Sequence, residues 1–389
     1  MKQFSLEKRV FMNRSGLILL LLIVFSATAS LAADPIRIGA IFSSTGPASF
    51  LGEPEKNSLE MAAQSINASG GILGRQVEII QYDDETEVNK CVLAVEKLAR
   101  KDGVKAIIGP TTSGNTLAIV RNMARYGIPL ISCASSDKIV QPVNPWVFKV
   151  APSDSFAIER LLDHIHATGA KRIAILTVSD GYGQSGRAAL QALVPQMGFE
   201  LVADEVYGPK DTDMTAQLTK IRGLSADAVI CWGTNPGPAV IARNHRQLGM
   251  EAPLYMSHGV ASKKFMELAG DAAEGIILPA GRLIVAEQLE DGHPQKAMLI
   301  NYEKQYGEQY KAAVSTFGGH AWDAMLLLKA AIEKAGSDDP KAIRDALESV
   351  TGLVGTAGIF NFSAQDHNGL DKTAFEIIRI EGGDWKIVR

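Results

Sequence analysis

The stretch RIAILTVSDGYGQSG, residues 172 to 186, decides how this chain folds. Its first half, RIAILTV, is a short β-branched apolar run of the length and composition of a buried strand. Its second half is a polar turn in which Tyr182 stands between Gly181 and Gly183, so that the backbone turns sharply before the next helical pattern and presents the phenol at the turn. Working outward, the same strand-to-helix step recurs. Strand-like runs are IRIGAIF (36–42), VEIIQYD (77–83), VKAIIG (104–109), IPLIS (128–132), DAVICWG (227–233), PLYMS (253–257) and GIILPA (275–280). Helical patterns lie between them, such as VLAVEKLARK (92–101) and ERLLDHIHATGA (159–170). Strands alternating with helices form parallel sheets covered on both faces. The alternation runs once through roughly residues 36–148 and again through roughly 171–277, so the expected fold class is α/β with two doubly wound lobes. After residue 280 three helical stretches follow, and the tail from Gly355 reads as antiparallel β with turns at HNG and EGGD.

The amino terminus reads differently. MKQFSLEKRVFMNRSG is basic, LILLLLIVF is uninterruptedly apolar, and SATASLAAD is small-residue rich, which is the order of a secretory signal peptide over residues 1–32, cleaved after Ala32 or Ala33. The apolar run is short for a membrane span, and no cysteine follows it to accept a lipid. Export to the periplasm is the expectation. Without residues 1–32 the chain keeps 35 of its 39 basic and 42 of its 43 acidic residues, a net charge of −7 with no basic cluster. That balance argues against nucleic acid and anionic membranes as partners and suits a handler of small solutes. Cys91, Cys133 and Cys231 lie far apart in apolar contexts with no metal-ligand spacing, so no metal, cofactor or disulfide framework is signalled.

In doubly wound sheets, ligands bind where strand carboxyl ends meet helix N-termini. The exits here are FSSTGPASFLGE (42–53), GPTTSGNT (109–116), ISCASSDK (131–138), SDGYGQSG (179–186), WGTNPGP (232–238) and SHGVAS (257–262). They are rich in Ser, Thr, Gly and Asn. Such groups at helix starts seat an anion, though each is also an ordinary helix cap. Two sets at neighbouring exits of one lobe favour a carboxylate site. No dinucleotide, P-loop, nucleophile-elbow or zinc-protease motif occurs, so no catalytic residue is assigned. His258, at a strand exit, is open to reading as a base, a metal ligand, a ligand-facing donor or a surface residue. Trp232 and Phe50 are each either a ring wall for a ligand or core. The apolar residues of GHAWDAMLLLKAA read as core.

Taken in order, TGPASFLGE, INASGGILGR before VEIIQYDDE, IIGPTTSGNT, PLISCASS, DGYGQSG and GIFNFSAQDHNG resemble the leucine/isoleucine/valine-type solute-binding proteins of ATP-binding-cassette importers over essentially the whole mature chain. The resemblance implies a type I periplasmic binding protein fold, two lobes joined by three crossovers near residues 149, 278 and 353. The N-terminal lobe would take 34–148 and 278–352, and the C-terminal lobe 149–277 and 353–389. It also implies a monomer, a small-molecule ligand and a membrane permease as partner, with a sensory receptor sharing every site feature.

By the same resemblance Ser113 bonds the ligand carboxylate, Ala134 and Ser136 supply a main-chain contact and a hydroxyl, and Tyr182 closes over the ligand. Trp232, Thr234 and His258 complete the second-lobe side, with Phe50 a ring contact and Arg282 a hinge or second carboxylate contact. Two departures matter. The family's first-lobe disulfide would fall on Thr86 and Thr112, so it is expected to be absent. His258 stands where amino-acid binders carry the glutamate that accepts the ligand's ammonium, and relatives with histidine there resemble carriers of aromatic carboxylic acids. The expected ligand is therefore an aromatic or branched organic acid without an α-amino group; the alternatives are a branched-chain amino acid carrier and, from another class, an exported hydrolase using His258.

Overall fold

The computed structural model describes residues 34–389, so the expected signal peptide lies outside the described residues. The chain begins with β1 (Ile36–Phe42), α1 (Ser49–Ala68), β2 (Val77–Asp83), α2 (Val88–Arg100), β3 (Ala106–Ile108), α3 (Ser113–Tyr126), β4 (Leu130–Ser132) and β5 (Val147–Lys149). These five strands form one sheet in the order β2-β1-β3-β4-β5, every neighbour parallel. The chain then runs through α4 (Asp154–Ala167), β6 (Arg172–Val178), α5 (Gly181–Gln196), β7 (Glu200–Tyr207), α6 (Thr215–Gly223), β8 (Ala228–Trp232), α7 (Gly237–Gln247), β9 (Leu254–Met256), α8 (Lys263–Ala269) and β10 (Ile277–Gly281). Strands β7-β6-β8-β9-β10 repeat the parallel order of the first sheet, so the mixed α/β architecture is built twice from one plan. In each sheet the order reverses beside the first strand, which places a crevice at the carboxyl ends of β1 and β3 and of β6 and β8.

Helices α9 (Lys296–Tyr310), α10 (Thr316–Ala335) and α11 (Pro340–Leu347) follow, then the hairpin β11 (Thr351–Val354) with β12 (Ile359–Asn361). Finally β13 (Phe375–Glu381) and β14 (Asp384–Ile387) extend the second sheet antiparallel from β10. Two edge elements escaped the strand pattern. β5 has only three residues, and β7 (ELVADEVY) pairs on one side only and is interrupted by the acidic pair Asp204 and Glu205.

Both faces of each sheet are covered, which is why the strand interiors read as continuous apolar runs. On the first sheet, Ile38, Ala40 and Phe42 pack with α1, α9 and α10 on one face, while Ile41, Ile107 and Leu130 pack with α2 and α3 on the other. On the second, Val229 and Cys231 face α6, α7 and α8, and Ile230 and Trp232 face α4 and α5. Cys91, Cys133 and Cys231 are free and buried. No described helix is long and apolar enough to cross a membrane.

Three segments join the sheets. β5 leads into α4, β10 stays in the second sheet through Gly281 before the chain reaches α9, and Phe360, Phe362 and Leu370 still pack in the first core before β13 returns to the second sheet. The lobe boundaries remain a proposal; sheet membership would draw the second and third crossings after Gly281 and near Leu370 rather than near 278 and 353. The third crossing is laced to the first. The Lys149 N–H donates to the His367 carbonyl at 3.0 Å. The His367 ring stacks on Phe148 at 4.0 Å, and Asn368 Nδ2 donates to the carbonyls of Lys149 and Ala151 at 3.3 and 3.1 Å.

Candidate functional site

The strand exits of both sheets converge on one cavity of about 360 Å³, at the lower end of the range that holds small organic ligands. Its first-lobe wall grows from the exits of β1, β3 and β4. Thr112 caps α3, its Oγ1 accepting from the Asn115 N–H at 3.3 Å, which leaves Ser113 at the first helical position with the helix's positive end behind it. Buried Asp84 braces this loop by accepting from Ser43 Oγ at 2.6 Å, Asn115 Nδ2 at 2.7 Å and the Thr86 N–H at 2.9 Å. Thr111 Oγ1 takes the Ser43 N–H at 3.0 Å and hydrogen-bonds to buried Glu55, whose carboxyl burial pushes well above the usual range. The hydroxyls are therefore held before any ligand arrives.

Ser113, Ala134, Tyr182, Thr234 and His258, all named from the sequence, line the cavity. Four others take different places. The Ser136 side chain is buried without a partner for Oγ, and the residue touches the site through its N–H, which donates to Ser113 Oγ at 3.4 Å. Trp232 is wholly buried behind the wall, because its strand parity turns it toward α4 and α5 with Ile230. Phe50 packs edge-on against Phe317 at 6.3 Å, and Phe317 is the ring of that pair that lines the cavity. Arg282 is bound elsewhere, to Glu376 at 2.9 Å, Gln295 at 3.1 Å and the Thr373 carbonyl.

The second-lobe wall begins with Asp180, which caps α5 through the Gly183 N–H at 2.9 Å. Helices α3 and α5 thus point their N-termini at one another. They meet glycine to glycine: a Cβ built on Gly181 would lie 2.8 Å from Gly114 Cα, nearer than carbon atoms approach. This contact joins the two lobes across the cleft and requires the absence of a side chain at 181.

His258 sits in an aromatic cage. Its ring centroid is 5.8 Å from Tyr182, 5.6 Å from Trp232 and 5.4 Å from Phe375. Burial first, with lesser contributions from neighbouring His320 and Lys149, holds its pKa down to about 3, so the imidazole is neutral at physiological pH. Nδ1 is buried without a partner. A buried lone pair is cheaper to leave unmet than a buried N–H, which puts the proton of the neutral ring on Nε2. His320, from α10, is a second neutral imidazole on the cavity wall, its pKa also pushed to about 3 by burial and by Lys149.

Three polar residues beside this end were not anticipated. His320 came from a helix read as core, since its neighbours Ala321, Ala324, Met325 and Leu328 are indeed core. Asp154, wholly buried at the start of α4, lies with Oδ1 3.7 Å from His258 Nε2. Lys149, also wholly buried, donates to the carbonyls of Ala151 and Ser135 at 2.8 and 3.2 Å. Asp154 and Lys149 lie on the first crossover, where sequence periodicity carries no signal for a charged pair. Among the described residues no grouping of three or more His, Cys, Asp or Glu is arranged to hold a metal ion.

The comparisons with known proteins agree with this architecture. The family model described as "Periplasmic binding protein" matches residues 35–384. The chain is 26% identical to the leucine-, isoleucine-, valine-, threonine- and alanine-binding protein of Pseudomonas aeruginosa, with 90% of this chain and 92% of that protein covered. It is 27% identical to the Leu/Ile/Val-binding protein BraC3 of Rhizobium johnstonii, covering 93% and 96%. Among solved structures, an extracellular ligand-binding receptor from Rhodopseudomonas palustris HaA2 superposes with a TM-score of 0.85 at 30% identity, covering 91% of this chain and 99% of that one. The branched-chain amino acid transporter substrate-binding protein LivJ of Streptococcus pneumoniae, in complex with isoleucine, gives 0.80 at 26% identity over 91% and 99%. With its doubly built α/β fold, its cavity at the facing strand exits and a family match over almost all its described length, this chain belongs to the periplasmic binding protein family, whose members are ligand-binding proteins of ABC transporters.

Proposed function

We propose that the chain captures a small organic acid lacking an α-amino group, most simply an aromatic or branched one, and delivers it in the periplasm to the membrane permease of an ABC importer. The carboxylate would sit on Ser113 at the N-terminus of α3 and beside the 134–136 loop, with Tyr182 closing from the other lobe. The observation that carries the reading is the group opposite that seat: a neutral imidazole, His258, in an aromatic cage. Its Nε2–H donates to a ligand oxygen. A buried ammonium there without a carboxylate partner is penalised by several kcal/mol. The cavity's rings, Phe317, Tyr182 and Tyr207, suit an apolar or aromatic body, with ring–ring contacts worth about 0.5–1.5 kcal/mol beyond the area buried. Contacts to both lobes favour the shut form, so binding is reported to the permease by closure.

A second reading, a branched-chain amino acid carrier, is favoured by the names of the relatives and by Asp154, an acid within 3.7 Å of His258. Hydrolysis has less support, since no hydroxyl or thiol is hydrogen-bonded to His258 to serve as a nucleophile. A thermal-shift panel of leucine, valine, benzoate and aromatic 2-oxo acids separates the readings. Stabilisation by the acids is expected; stabilisation by leucine and by none of the acids rejects the proposal. Turnover of ester or amide substrates by the wild-type protein would instead restore the hydrolase.

A further inference from the structure

Asp154 is a wholly buried carboxylate with no Lys or Arg ion-paired to it among the described residues; the polar groups beside its oxygens are the Ser135 and Ser185 hydroxyls and His258. Such groups are rare in folded proteins because neutral neighbours return only part of the hydration that the charged form loses. Its place is not incidental. Its own N–H donates to the Ser135 carbonyl at 3.3 Å, and Lys149 Nζ donates to that same carbonyl, so the Asp154 backbone and the lysine are both tied to the ligand loop. Its Oδ1 also lies 3.7 Å from Nε2 of His258, which borders the ligand cavity.

We propose that Asp154 is a positioning residue of the ligand site: acting through His258, it couples entry of an anionic ligand to the uptake of one proton by the buried carboxylate. The inference rests on the organic-acid reading. A ligand oxygen placed against His258 takes the Nε2–H and so removes one of the few donors facing Asp154. The ligand also brings a second negative charge into a dry site, and two carboxylates in such a site do not both stay ionised. One proton from solvent then adds to an Asp154 oxygen, giving the neutral acid, which can donate to the Ser135 or Ser185 hydroxyl beside it.

The other groups facing the pair set the balance. Asp137, just after the ligand loop between β4 and β5, opposes ionisation of Asp154 and Lys149 favours it. His320 from α10 and the Tyr182 hydroxyl from α5 are neutral neighbours, and Asp366 on the third crossover acts on Lys149. Without ligand, burial first and Asp137 second push Asp154 up to about 7, so small changes in its surroundings move it across neutral pH. A ligand ammonium acts with the opposite sign, holding Asp154 ionised and releasing a proton.

The test is calorimetry of benzoate and of leucine in phosphate and Tris buffers at pH 6, 7 and 8, with wild type, Asp154→Asn and His258→Gln. The expected result is net proton uptake by wild type on binding benzoate. Its Kd should weaken by about threefold to tenfold from pH 7 to pH 8, up to the limit of one linked proton. Both effects should vanish in Asp154→Asn. Benzoate binding with no buffer dependence, or with the same dependence in Asp154→Asn, overturns the proposal. If leucine binds and benzoate does not, the organic-acid reading falls, while proton release on leucine binding that Asp154→Asn abolishes still upholds the role of Asp154, and its absence rejects it. A ligand-free readout covers the case where neither binds. Because a raised carboxyl pKa lowers stability as pH climbs from about 4 to about 7, the Tm advantage of Asp154→Asn over wild type should grow across that window; a pH-independent difference overturns the assignment.

Discussion

Replacing Gly181 with alanine tests whether the two lobes meet as described. The added Cβ would stand 2.8 Å from Gly114 Cα and 3.0 Å from Gly114 N, both on the opposite lobe. Carbon pairs rest at about 3.5–4.0 Å, so the closed form must part by roughly 1 Å at this point or distort one helix start. Overpacking of this kind costs about 1–3 kcal/mol. Since only the closed form suffers it, ligand affinity should fall by roughly 5- to 150-fold at about 1.4 kcal/mol per tenfold. Folding should not suffer, because alanine is the better helix former by up to about 1 kcal/mol. By contrast, Gly183→Ala would clash with Val178 O at 1.8 Å inside its own lobe and lower stability directly. Gly223→Ala, where nothing lies within 4 Å, is the control. Calorimetry for Kd, small-angle scattering with and without ligand, and a thermal melt of the free protein give the three readouts. Unchanged affinity and unchanged compaction in Gly181→Ala would refute the interlobe contact.

Other outcomes follow from the same geometry. Ser113→Ala removes the hydroxyl at the carboxylate seat and should weaken binding by roughly 10- to 150-fold, the worth of a hydrogen bond to a charged group at about 1.5–3 kcal/mol; titration calorimetry measures it. Thr112→Ala deletes the cap of α3, whose Oγ1 takes the Asn115 N–H, and should cost about 1 kcal/mol of stability in urea unfolding. His258 and His320 both have folded pKa values pushed down to about 3. Their unfolded values are about 6.5, so the unfolded chain binds more protons between these limits and stability falls as pH drops through that window. The double variant His258→Gln/His320→Gln should lose less Tm between pH 6.5 and pH 4 than wild type does.

Much of the fold was legible because buried parallel strands leave unbroken apolar runs. Ile36–Phe42, Val77–Asp83 and Arg172–Val178 coincide with the runs read from sequence. The exits were legible too, since helix starts need Ser, Thr, Asp or Gly, and those residues gather around the cavity. The direction of single side chains was not. β8 is buried on both faces, so nothing in AVICW distinguishes Cys231 from Trp232, which point to opposite sides. Phe50 and Phe317 form one ring pair from distant helices, and only their packing decides which ring reaches the ligand. Asp154, Lys149 and His320 come together from α4, β5 and α10, a juxtaposition made by the crossovers and invisible to local pattern.

The proposed function requires the pocket to prefer an oxygen to a cationic nitrogen beside His258. Leucine and 4-methyl-2-oxopentanoate share one side chain and one carboxylate and differ only in carrying an ammonium or a keto oxygen at the neighbouring carbon. Side-by-side titration calorimetry of the two on this protein isolates that atom. The account predicts measurable binding of the oxo acid and at least about tenfold weaker binding of leucine, the minimum for a several-kcal/mol ammonium penalty partly relieved by Asp154. Leucine binding as tightly as the oxo acid, or more tightly, would contradict it.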